Sequence, residues 1–151
     1  MIKVLIAEDD LMIADAAEEL LVKMGYRVCG IARTVTDAKA LAQTQKPDLA
    51  VIDLRLAGDG IGSDIPSSFG IRARCQPRCG VLYATGNTKR VALTDADGDA
   101  CLAKPYSAAD LVRSLQLVSE IVATGKASPP FPRGFRMLPS ANLLGQEQAY
   151  G

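Results

Sequence analysis

Short apolar runs and longer stretches of helical period take turns along most of this chain. Residues 2–7 (IKVLIA), 27–32 (RVCGIA), 49–53 (LAVID), 79–85 (CGVLYAT) and 100–103 (ACLA) read as strands. Between the first two, residues 11–25 put Ile13, Ala17, Leu20, Leu21 and Met24 at helical spacing, with Gly25 as the stop. Thr34 and Asp37 have the T-x-x-D form of a helix start and lead into Ala38, Leu41 and Ala42. Ser107 and Asp110 open a last helix, in which Leu111, Leu115, Val118 and Val122 recur on one face. The middle is less regular. Residues 57–62 (AGDGIG) read as a loop, 64–74 (DIPSSFGIRAR) as a short helix with Pro66 in its first turn, and 87–97 (NTKRVALTDAD) as another. Strands that are apolar on both faces and alternate with helices need crossovers covering both sides. The expected fold is therefore α/β, a doubly wound, five-stranded, mostly parallel sheet.

In such a sheet, functional groups gather where the strands end. Strand one runs into Glu8, Asp9 and Asp10, strand three stops on Asp53, strand four on Thr85, and strand five is followed by Lys104 and Pro105. Each has a plain explanation when taken alone. Asp10 can cap the helix that starts near Leu11, Thr85 is a good strand former, and Lys104 can be a surface cation. Taken together they deliver carboxylates, a hydroxyl and an ammonium to one edge. Crowded carboxylates repel, so one takes up a proton or a cation binds. A donor set made only of oxygens suits Mg2+. A strand-end carboxylate as nucleophile, with hydroxyl and ammonium donors for phosphoryl oxygens, is the equipment of phosphoryl transfer, with an aspartyl phosphate as the expected intermediate.

Composition removes several competitors. The chain has no histidine, which excludes histidine-dependent nucleophilic catalysis, histidine-ligated metals and self-phosphorylation on histidine by these residues. Lysine plus arginine and aspartate plus glutamate both number 17, so no bulk positive charge is available for nucleic acid. No apolar run is long enough to cross a membrane, and the first residues lack a signal-peptide pattern, so a cytoplasmic location is expected. Of Cys29, Cys75, Cys79 and Cys101 only the middle two are close in sequence, which reads as buried small residues and not as a zinc site.

The fragments VLIAEDD, VIDLRL, YATGN and LAKPYS occur in an order and spacing that resembles the receiver domain of two-component response regulators. The resemblance covers residues 1–124 and implies a flavodoxin-like sheet of order 2-1-3-4-5. It implies Asp53 as phosphoacceptor. Glu8, Asp9, the Asp53 carboxylate and the backbone carbonyl of Arg55 would hold Mg2+, and Thr85 and Lys104 would bind phosphoryl oxygens. The Lys104–Pro105 bond is expected to be cis. The implied donor is a phosphohistidine on a sensor histidine kinase or a histidine phosphotransfer protein, and the downstream protein partner is open, as is a homodimer.

Cys101 stands where such domains carry an aromatic switch, and YATG resembles the FATG core of a mostly stand-alone alphaproteobacterial subgroup that also lacks it. Tyr83 is then a candidate to transmit the change, or simply a core tyrosine. Residues 125–151 hold four prolines and four glycines without helical period. They read as a flexible tail with no output domain and no direct DNA binding, although Phe131, Phe135, Met137, Leu138, Leu143 and Leu144 favour docking. The rival reading is a pseudo-receiver, a phosphorylation-independent binding module. A haloacid-dehalogenase-type phosphatase is disfavoured by Arg55, since it needs a second aspartate there. The glycines at 58–62 follow strand three and lead to Ser63, which does not fit a dinucleotide site.

Overall fold

The computed structural model describes residues 1–56, 79–86 and 93–140. The loop expected at 57–62, the helix at 64–74, the start of the helix at 87–97, Cys75 and the tail leucines Leu143 and Leu144 lie outside them. The described elements are β1 (Lys3–Ala7), α1 (Leu11–Lys23), β2 (Arg27–Ala32), α2 (Val35–Gln45), β3 (Leu49–Asp53), β4 (Gly80–Thr85), β5 (Ala100–Ala103), α3 (Ala108–Thr124) and β6 (Phe135–Met137). Strands β1 to β5 pair in parallel in the order 2-1-3-4-5, as the resemblance implied.

Local chemistry sets the helix ends. The Asp10 carboxylate accepts from the backbone N–H groups of Met12 and Ile13, at 3.0 and 3.3 Å, and so caps α1. Thr34 caps α2 by accepting from the Asp37 N–H at 3.1 Å. Ser107 and Asp110 form a reciprocal capping box at the start of α3. Gly25 and Gly125 follow α1 and α3 with positive φ.

Each face of the sheet has its own core, because side chains alternate along a strand. Leu5, Ala50, Ile52, Val81, Tyr83 and Cys101 pack towards α2. Val4, Ile6, Val51, Leu82 and Leu102 pack against α1 and the Leu111, Leu115 and Val118 stripe of α3. Burying each large aliphatic side chain contributes roughly 1.5–3 kcal/mol. Cys79 and Cys101 are buried within this packing. One buried hydroxyl, Ser114 Oγ on α3, has no hydrogen-bond partner among the described residues.

The structure adds a sixth strand to the five expected, and it comes from residues read as tail. Strand β6 runs antiparallel to β5, pairing Ala100 with Met137, Cys101 with Arg136 and Leu102 with Phe135. Leu138 then enters the core beside Tyr83 and Cys101, and the Phe131 and Phe135 rings stack with centroids 6.0 Å apart. Docking is therefore the better description of this segment as far as Ser140. A three-residue strand has no periodicity of its own, so its pairing was not visible in the sequence.

Candidate functional site

The carboxyl ends of β1, β3, β4 and β5 are held at fixed heights by hydrogen bonds that run one residue past the strands. The Glu8 N–H donates to the Ala32 carbonyl at 2.9 Å, Leu54 to Ala84 at 3.0 Å and Lys104 to Thr85 at 2.7 Å. The groups at this rim are thus carried on rigid backbone. Glu8 and Asp53 are buried, with 6% and 4% of their surface exposed, while Asp9 is half-buried. Each of the three offers an oxygen, and those oxygens lie within 4.8 Å of one another. Lys104 Nζ reaches between two of them, 3.3 Å from Asp53 Oδ2 and 3.6 Å from Glu8 Oε2. The other Asp53 oxygen, Oδ1, accepts from the Arg55 backbone N–H at 2.9 Å.

Of the residues singled out in the sequence, Glu8, Asp9, Asp53 and Lys104 are brought together directly. Arg55 joins them through its backbone. Thr85 ends β4 one position beyond Ala84, the register partner of Asp53, and its carbonyl anchors Lys104. Asp10 serves as the cap. The Lys104–Pro105 peptide is cis.

The electrostatics follow from crowding. Burial, then hydrogen bonding to Asp53 and its negative charge, push Glu8 from 4.5 up to about 7; the Lys104 ammonium opposes this only in part. For Lys104 burial works against the charged form, but Asp53 and Glu8 outweigh it and hold its pKa above the ordinary value. The side chains at the rim therefore carry more negative charge than the Lys104 ammonium offsets, and the donors are all hard oxygens. That donor set fits Mg2+ and is a poor match for softer metals.

Tyr106 is a neighbour the sequence reading did not place at the site. It helps line a small hollow together with Glu8 and Asp53, and its burial raises the phenol pKa. Its position directly after Lys104–Pro105 was the available signal. On its other side an open apolar groove of about 600 Å³ runs between α1 and α3, lined by Met12, Ile13, Leu20, Pro105 and Leu111. Tyr83, by contrast, is fully buried, and its hydroxyl donates to the Asp97 carbonyl at 2.8 Å, at the opposite end of β5 from Lys104. The ring lies so close to Gly98 that a Cβ there would meet it at 2.6 Å.

The family model of the response regulator receiver domain matches residues 4–116. This chain belongs to that family. The transcriptional regulatory protein PdtaR of Mycobacterium tuberculosis (strain CDC 1551 / Oshkosh) is 34% identical over 121 residues, which cover 76% of this chain and 55% of PdtaR. The chain thus spans about half the length of that relative. A CheY-like receiver domain protein from Methanospirillum hungatei JF-1 superimposes with a TM-score of 0.69 at 24% identity, covering 83% of this chain and 98% of the other, and shows the same fold. A response regulator from Burkholderia pseudomallei, solved with a phosphorylated aspartic acid and a calcium ion, gives a TM-score of 0.63 at 25% identity over 83% of this chain and 73% of its own. Receiver domains in general bind Mg2+ at an acidic pocket, and this receiver carries a cluster of acidic residues in Glu8, Asp9 and Asp53. Among the described residues no helix is long and apolar enough to cross a membrane.

Proposed function

We propose that this receiver accepts a phosphoryl group on Asp53 from a phosphohistidine and passes the signal on through protein–protein contact. The observation that carries this is the Lys104 ammonium 3.3 Å from a buried, strand-end Asp53 carboxylate that shares its rim with two more acids. In the reaction an Asp53 oxygen forms a bond to phosphorus while the P–N bond to the donor imidazole breaks, and the imidazole leaves with a proton. The strand and the Arg55 N–H orient the Asp53 carboxylate, leaving Oδ2 as the nucleophile. Lys104 and the Thr85 hydroxyl donate to the oxygens of the transferred group. A Mg2+ held by Glu8, Asp9, Asp53 and the Arg55 carbonyl would supply charge neutralisation at those oxygens.

The phosphorylated aspartate of the Burkholderia relative supports the choice of acceptor. The donor is expected to be a histidine kinase or a histidine phosphotransfer protein, seated over the rim and against the exposed Leu11 and Met12 at the start of α1. No recognised output segment is needed for this reading. We take residues 1–124 as the receiver proper and the signal as leaving by contact or by relay.

The test is intact-protein mass spectrometry after incubation with acetyl phosphate or phosphoramidate and Mg2+. One phosphoryl group on the wild type and none on Asp53→Asn is the expected result. No adduct under any of these conditions would favour the phosphorylation-independent binding module instead.

A further inference from the structure

The edge of β5 is closed by the chain itself, at a point one residue from Lys104. Residues 126–140 cross the end of the sheet as a strap, attached to α3, along β5 and, through the Asp95 N–H donating to the Pro139 carbonyl at 2.9 Å, to the turn before β5. On α3, Arg113 donates from Nη2 to the Ser128 carbonyl at 2.8 Å and from Nε to the Pro130 carbonyl at 3.0 Å, and Ser128 hydrogen-bonds Glu120. At the carboxyl end of β5, the Ala103 N–H donates to the Gly134 carbonyl at 3.0 Å. At its amino end, the Leu138 N–H donates to the Asp99 carbonyl at 3.0 Å, while the Leu138 side chain is buried beside Tyr83 and Cys101.

The middle attachment links the strap to the acid site. Gly134 has φ +86°, and a Cβ added to it would stand 2.9 Å from the Ala103 Cβ, so the two backbones are in contact with no slack. The residue after Ala103 is Lys104, whose N–H is tied to Thr85 and whose ammonium is tied to Asp53. A phosphoryl group on Asp53 adds about one negative charge and new acceptor oxygens, which draw the ammonium to new positions. Any accompanying movement of the Lys104 backbone is felt at Ala103, where the strap is gripped most closely. The strap is short, and its hold combines these hydrogen bonds with the β5–β6 pairing, the buried Leu138 and the partly buried Phe135.

We propose that this strap is a displaceable edge strand, docked on β5 while Asp53 is unmodified and loosened when Asp53 carries a phosphoryl group. Release uncovers a row of unpaired backbone donors and acceptors, the kind of edge to which an extended segment adds. In the unmodified protein the occupant of that edge is the chain's own strap. This inference rests on the proposed phosphorylation of Asp53.

Amide hydrogen exchange on the full chain, read residue by residue with Mg2+ and with or without acetyl phosphate, tests it. The Ala103 and Leu138 amides are expected to exchange about tenfold faster in the phosphorylated protein. The Arg27 amide, bonded to Ile2 at the edge of the sheet away from β5, should not change. Asp53→Asn should show no acceleration. Arg113→Ala, which touches no group at the acid site, should speed the same two amides without any phosphoryl donor. A mass-verified adduct with unchanged Ala103 and Leu138 exchange overturns the strap coupling alone. Absence of the adduct overturns the functional reading and the coupling together. An Arg113→Ala protein with wild-type exchange at both amides overturns the latch.

Discussion

The acid rim and the strapped edge lie at neighbouring ends of β5, yet they are built on opposite principles. At the rim, charge is concentrated where water is scarce, and Glu8 responds by holding its proton to about pH 7. At the edge, backbone donors find acceptors and an apolar plug fills the core margin. The rim crowds carboxylates together and is not at its own energetic optimum; the edge is a local stabilising device. Crowded charge at the rim is held in place by the order of the neighbouring scaffold.

If that contrast holds, substitutions at the edge should cost stability whatever the ionic conditions. Leu138→Ala is expected to lower unfolding free energy by about 2 kcal/mol, the low end for a buried leucine because a three-residue strand relaxes around the gap. Urea unfolding with and without Mg2+ checks this, and a loss that Mg2+ repairs would blur the division. Lys104→Met should behave the other way. Without divalent ions it leaves the buried Asp53 carboxylate without its ammonium, at a cost of about 1–2 kcal/mol for a partly exposed partner. Added Mg2+ should recover a measurable part of that loss in the same titrations.

A graded test uses pH. Glu8 is raised from 4.5 to about 7 in the folded chain, so the folded state binds this proton more tightly than the unfolded state does. The stability it contributes is complete below pH 4.5 and is lost as pH rises through 7. Thermal melts in EDTA should therefore fall by a few degrees, roughly 2–6 °C, between pH 5 and 8. Glu8→Gln should flatten that slope. Lys104, with a pKa above 10.5, stays charged throughout the window and adds no slope of its own. The smallest change expected is a gain. Ser114→Ala on α3 removes a buried hydroxyl that lacks a described partner and should stabilise by about 0.5–1 kcal/mol, seen as a higher urea midpoint.

Much of this architecture was readable residue by residue. Strands β2, β3 and β5 have the bounds their apolar runs predicted, and Thr34, Ser107 and Gly25 act as the helix signals they resembled. The gathering of Glu8, Asp9, Asp53 and Lys104 followed from strand ends alone, because parallel strands joined by helical crossovers all point the same way. Asp10 was legible as a cap for the same local reason. Tyr106 was missed as a neighbour of the site, since its place directly after Lys104–Pro105 was the one signal and does not say which way the ring turns. The strap was missed as a strand, since Phe135–Met137 has no pattern that separates it from a loop.

By itself, then, the sequence determined the elements and which acids reach the rim, because hydrophobic period, caps and strand polarity are local or additive properties. Tertiary structure alone decided that Arg113 would hold the Ser128 and Pro130 carbonyls and that Gly134 would press on Ala103. It also decided that Glu8 would keep its proton. Those outcomes depend on distances between residues far apart in the chain and on how much water is left between them, and neither quantity is written in any single stretch of residues.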